Sequence, residues 1–147
     1  MWITITEAHL LNRLSGTELG KLRGAALAAG QADPVQPTID EVTAYVRGFV
    51  GRRFTLGDGN TIPLELLRPA LALIVMEFIA RVAGINIDPK GERKAEADQA
   101  QKVLDSVADG RIAIETPTRA SGATIGNPSP RFSAPDLAFS PDSQDGL

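Results

Sequence analysis

The chain has no cysteine, so neither a disulfide nor a thiolate metal site can form, and the redox compartment is left open. Histidine is nearly absent too. The one example, His9, has no second ligand type at helical spacing, and Glu7 lies two residues away and off its face. His9 therefore reads as a surface or internally satisfied side chain, because a metal site needs several ligands. Positive charge is also in short supply: the formal net charge of −3 argues against a protein held to nucleic acid by broad electrostatics. The opening Met1-Trp2-Ile3-Thr4 has no basic region and no long apolar segment, so the expectation is no secretion signal, no membrane anchor and synthesis in the cytoplasm.

Motifs for chemistry are equally scarce. There is no glycine-rich phosphate loop, nucleophile elbow or H-E-x-x-H pattern. Asp58-Gly59-Asn60 matches a fragment of a calcium loop but lacks the following acidic positions, so it reads as a turn. Glu65 and Glu77 stand twelve residues apart on one predicted helix, more than three turns, and cannot act together as acid and base. The expectation is a non-enzyme without a cofactor or a metal.

What the sequence does have is one long apolar run, Ile62–Ala83. From Ala70 to Ala83 only Glu77 and Arg81 are charged, so a helix here is apolar almost all round and belongs in a protein core. A membrane span needs about 20 uninterrupted apolar residues, and Arg68, Glu77 and Arg81 break the run well before that. Pro63 suits a first helical turn, Pro69 predicts a kink or split, and Gly84 is a natural stop with Asn86 and Pro89 behind it.

The flanking segments read as further helices. Thr4-Ile5-Thr6 is an extended lead-in, and Thr6 caps a helix over Glu7–Leu14 with Leu10, Leu11 and Leu14 on one side. Ser15-Gly16 ends it, and Thr17 caps a second helix to Ala29, carrying Leu19 and Leu22. Small residues at 20, 24, 25, 28 and 29 suggest a face for close backbone contact. Gly30–Pro37 reads as a loop. Thr38-Ile39-Asp40-Glu41 has the form of a capping box opening a third helix to Arg53, with an apolar stripe of Ile39, Val42, Val46, Phe49 and Val50. Phe54–Ile62 predicts a loop or short hairpin. Asp88-Pro89 caps a fifth helix to Ala108, whose charged first half projects outward while Ala97, Ala100, Leu104 and Val107 are buried. Gly110 ends it, and Arg111–Glu115 alternates like a lone strand.

Composition then changes. Thr116–Leu147 holds five of the ten prolines and five serines, too little apolar area to offset its ordering entropy alone. A partner chain is the simplest thing that would order it, with Phe132, Leu137 and Phe139 as anchors. Arg47, Arg52 and Arg53 cluster at the end of the third helix, with Lys21 and Arg23 on the second. They read as a solvated or intersubunit face, and alternatively as a surface for DNA phosphates. The fold expected is mainly α: a small bundle of about five helices around the central hydrophobic one. A short hairpin or strand accompanies it. The helical domain covers 1–115 and the extended tail 116–147.

A set of local features resembles the Mu-like prophage neck proteins, a family of head–tail connector or adaptor proteins. They are Ile5-Thr6-Glu7-Ala8-His9-Leu10 leading into a helix, Gly51-Arg52-Arg53-Phe54 at a helix end, Pro63-Leu64-Glu65-Leu66-Leu67-Arg68 opening the apolar helix, and Gly110-Arg111-Ile112 closing the charged one. The resemblance spans Ile3–Glu115. The purely apolar Ile74–Val82, Pro69 inside the helix and the long tail depart from the family pattern. The resemblance implies a structural virion protein of a tailed bacteriophage: a dodecameric ring of identical subunits below the portal, located in the neck. The ring extends the channel for double-stranded DNA, bound without sequence specificity, and docks a downstream neck, stopper or tail protein. Ring closure needs two different faces per subunit. The subunit-interface candidates are Lys94, Asp98 and Lys102 on the fifth helix, with Ile112 and Ile114 adding a strand to a neighbour. Arg47, Arg52 and Arg53 are the DNA-channel candidates. The alternative reading is a small DNA-binding packaging or regulatory protein using the second and third helices as a helix-turn-helix-like element.

Overall fold

The computed structural model describes residues 1–26, 30–81 and 90–117. It is mainly helical, as the periodicities predict. The order is β1 (Trp2–Thr4), α1 (Glu7–Leu11), α2 (Gly16–Ala26), α3 (Val35–Val50), β2 (Thr61–Pro63), a 3-10 turn (Leu64–Leu66), α4 (Leu67–Arg81) and α5 (Glu92–Ala108). α4 packs against α1, α2, α3 and α5, and is the central helix. Ala70, Leu71, Ala72, Ile74, Val75 and Phe78 are buried on it, spanning more than half of its circumference. Phe78 and Ile74 are both 0% exposed. Each such side chain contributes about 1.5–3 kcal/mol by leaving water. An exposed ion pair contributes about 0–1 kcal/mol, so burial around α4 sets the architecture. Among the described residues no helix is long and apolar enough to cross a membrane.

Both prolines of the central stretch fall at different positions from those expected. Pro63 ends β2 instead of opening a helix. It pairs with Trp2 in an antiparallel register that also places Ile3 opposite Ile62 and Thr4 opposite Thr61. Lacking an N–H, proline terminates that ladder, and Leu64 N–H donates to Met1 O at 2.9 Å instead. Pro69 is the third residue of α4, in the first turn, where the N–H it lacks would have had no helical partner. The split falls before it, at the 3-10 turn. Phe54–Ile62 is accordingly a loop feeding a strand whose partner is β1 at the start of the chain, not a local hairpin. Gly84, Asn86, Asp88 and Pro89 lie outside the described residues.

Two helix starts and one helix end also differ. α1 ends at Leu11 instead of Leu14, although Leu14 is still buried. α2 is capped by Ser15, not Thr17: Ser15 Oγ accepts from Glu18 N–H at 3.2 Å, and the Glu18 carboxylate accepts from Ser15 N–H at 2.9 Å. This is a capping box in the order Ser-Gly-Thr-Glu. α3 begins at Val35, within the stretch read as a loop, and Asp33 Oδ1 accepts from Val35 N–H at 3.0 Å. Thr38 thus lies inside the helix, its buried hydroxyl donating to Pro34 O at 2.7 Å, while Glu41 pairs with Arg81 at 3.1 Å. Gly20, Gly24 and Ala25 face solvent with open space around the glycines, so they form no packing face; positions 28 and 29 are outside the described residues.

α5 buries Ala97, Ala100, Leu104 and Val107, as its spacing predicts, and Ala108 as well. Its charged first half is mostly exposed, as expected, but two of its side chains are tied to the rest of the bundle. Arg93 reaches Glu18 at 2.8 Å and Arg13 reaches Glu96 at 3.2 Å, tying α5 to the start of α2 and the end of α1. Glu18 is therefore shared between a cap and a tertiary ion pair. The hydrogen bond from Ser15 N–H, against a smaller effect of burial and with help from the Ser15 hydroxyl and Arg93, holds its carboxyl below the ordinary value of 4.5. A carboxyl depressed in the folded state adds stability that is complete above its unfolded value and lost as pH falls through the folded one. Glu18→Gln should flatten the acid limb of stability below about pH 4.5. The difference should be under about 1 kcal/mol, because the side chain is partly exposed. Urea unfolding of both proteins across pH 3–7 measures it; identical acid limbs would contradict the shared role.

Candidate functional site

The segment after α5 is the first place where sequence and structure part in a way that bears on function. Arg111–Glu115 is not a strand. Gly110, at φ +76°, reverses the chain, and the N–H groups of Arg111 and Ile112 both donate to Ser106 O, at 2.8 and 3.2 Å. The following residues run beside β1 and the 3-10 turn. Ile114 is buried with the core and cannot offer itself to a neighbour, whereas Ile112 is 38% exposed. The alternation of Ile112 and Ile114 is satisfied by one side chain against the domain's own core and one in solvent.

Glu115 is held at several points. Trp2 Nε1 donates to Glu115 O at 3.0 Å, Glu115 N–H donates to Glu65 Oε1 at 3.4 Å, and the N-terminal ammonium pairs with the Glu115 carboxylate. Both ends of the helical body thus meet at one place, and the chain leaves it there through Pro117. The Trp2 ring is seated in turn by Gly57, where an added Cβ would lie 2.7 Å from two ring atoms. The loop carrying Gly57 is clamped by Arg47, whose Nη1 donates to Asp58 O at 2.9 Å and Thr61 O at 2.6 Å, and whose Nη2 donates to Gly57 O at 3.1 Å. Asn60, at φ 59°, closes the turn. The linkage runs Arg47, Gly57 loop, Trp2, Glu115.

This accounts for one of the three channel candidates. Arg47 is committed to backbone carbonyls and presents no spare fork to a phosphate. Arg52 lies over the Phe49 ring at 4.9 Å, and Arg53 packs against Gly110. Both are exposed, so solvent-facing cation at this end of α3 comes from them. On α2, Arg23 is paired with Glu7 at 2.9 Å and Asp33 at 3.0 Å, leaving Lys21 exposed. At least residues 30–34 separate α2 from α3 without helix, longer than the turn of about three or four residues in a helix-turn-helix.

Lys94, Asp98 and Lys102 stand one turn apart along the exposed side of α5. Phe132, Leu137 and Phe139 lie outside the described residues. His9 serves α1: its Nδ1 accepts from Thr6 N–H at 3.1 Å, the role a glutamate takes in a capping box. Asp58-Gly59-Asn60 is the turn that Arg47 clamps, and no group of His, Cys, Asp and Glu able to hold a metal occurs among the described residues. A shallow groove with a cavity volume of about 190 Å³ runs between α4 and α5. Sequence reasoning missed the Trp2–Glu115 tie; its signal, a lone tryptophan at position 2 of an otherwise tryptophan-free chain, carries no spacing that names its partner.

Comparison with known proteins gives no match to a family model, to a curated protein or to a solved structure.

Gly57→Ala should push the Trp2 ring away from Glu115 and cost about 1–3 kcal/mol by overpacking. Thermal unfolding and the Trp2 fluorescence maximum check it. The expected result is lower stability with a red-shifted emission; unchanged values for both would contradict the linkage.

Proposed function

We propose that this chain is a structural subunit of a tailed-phage neck: a head–tail adaptor that assembles into a dodecameric ring below the portal and carries the docking surface for the next neck or tail protein. The carrying observation is the anchored exit of the chain. Trp2 and Glu115 fix where residues 118–147 leave the helical body. A segment whose root is held still can be delivered to one place on a neighbour, which assembly requires and an isolated domain does not.

Three further features support the reading. The core is closed around α4, so the body is a rigid block. The exposed side of α5 presents Lys94, Asp98 and Lys102, alternating in sign, a pattern suited to setting register against a second face. Arg52 and Arg53 offer a modest cationic edge, enough to line a channel through which double-stranded DNA slides without sequence recognition. The protein is made in the host cytoplasm and ends in the virion, with the portal above and a stopper or tail component below.

Native mass spectrometry of the purified full chain over a concentration series tests this. The expected product is a closed ring of one stoichiometry. Asp98→Lys combined with Lys102→Glu should lower the ring fraction without changing the unfolding temperature. A monomer at every concentration would contradict the proposal. DNA affinity that falls steeply across a salt series, with no ring, would instead favour the DNA-binding alternative.

A further inference from the structure

The groove between α4 and α5 has an apolar floor of Pro69, Ala72, Ala100 and Val103, with Arg13, Arg68, Glu96 and Gln99 at its rim. At about 190 Å³ it is smaller than the cavities that hold drug-sized ligands, and it fits one aromatic or branched side chain. Its rim charges are not equivalent. Arg13 is neutralised by Glu96 at 3.2 Å, whereas Arg68 is exposed and makes no ion pair or hydrogen bond among the described residues. An apolar slot beside an unpaired arginine fits a partner segment with an apolar anchor next to an acid.

The chain contains such a segment. Phe132–Phe139 reads Phe-Ser-Ala-Pro-Asp-Leu-Ala-Phe, with Asp136 between the apolar positions. From Phe132 to Leu147 there are three aspartates and no lysine or arginine. Pro117 and Phe132 are fifteen residue steps apart, with fourteen residues between them. Fully extended they span about 50 Å, well beyond the roughly 26 Å implied by twice the radius of gyration of a domain of this size. The tail is thus long enough to leave its own body and cross onto the next.

We propose that the α4–α5 groove receives the Phe132–Phe139 segment of a neighbouring copy, with a phenylalanine in the apolar slot and Asp136 on Arg68. This rests on the ring reading and names the surface that the tail strap uses. Each subunit gives a tail and receives one, so the contact is head-to-tail and propagates until the ring closes.

Because the chain has no cysteine, one engineered pair reports the contact without background. The full chain carrying Gln99→Cys on the groove rim and Ala138→Cys in the segment is oxidised and run without reductant, alongside native mass spectrometry of the same sample. The expected result is a ladder of covalent multimers. Arg68→Glu should weaken the ladder several-fold, and adding Asp136→Arg should restore it. Alanine at both Phe132 and Phe139 should lower it by about tenfold or more. A ladder indifferent to Arg68→Glu, a cross-link confined to single chains, or no cross-link would each overturn the proposal. A ring without the cross-link refutes the groove alone, whereas a monomer refutes the ring reading as well.

Discussion

A helix that is apolar on nearly every side has one stable setting in water, which is inside other helices. α4 imposes that constraint here. Its burial draws α5 and α3 against it, seats α1 and α2 on the remaining sides, and leaves only Arg68, Glu77, Ala80 and Arg81 as its clearly exposed positions. The ion pairs around the rim, Arg13 with Glu96, Arg93 with Glu18 and Arg81 with Glu41, fix how the helices are rotated more than whether they associate. Charge at the surface selects among packings that the core already permits.

The same constraint explains which features were legible beforehand. α4 was readable because its signal is long and needs no partner to interpret, and the buried positions of α5 followed from spacing. Helix starts were harder, because two capping signals overlap at each. Ser15-Gly16-Thr17-Glu18 contains a complete box, yet Thr17 alone is also a plausible cap. Thr38–Glu41 has the form of a box, but the helix begins earlier, at Val35, whose N–H donates to Asp33, and Pro37 is tolerated because it falls in the first turn. Local rules rank such candidates only weakly; tertiary contacts decide between them.

Pairings across the chain were not legible. β1 and β2 are neighbours in space but lie far apart in the chain, and nothing in Trp2-Ile3-Thr4 names Thr61-Ile62-Pro63 as its partner. The Arg111–Glu115 alternation was a true signal of one face in and one face out, but a single extended segment against the body satisfies it as well as a strand does. The functional consequence is a change of emphasis. Ile114 belongs to the fold, so the proposed contacts between copies fall on other parts of the chain: the exposed side of α5, the groove beside Arg68 and the residues beyond Pro117.

In the proposed reading the helical block, with Glu115 held against Trp2 at the point where the body ends, is a joining element, and such a role shows only in the particle. The proposed neck role is tested most directly by electron microscopy of particles from a tailed phage whose genome encodes this chain, after deletion of the gene. The account predicts DNA-filled heads accumulating beside free, complete tails. Intact virions of normal infectivity would contradict it.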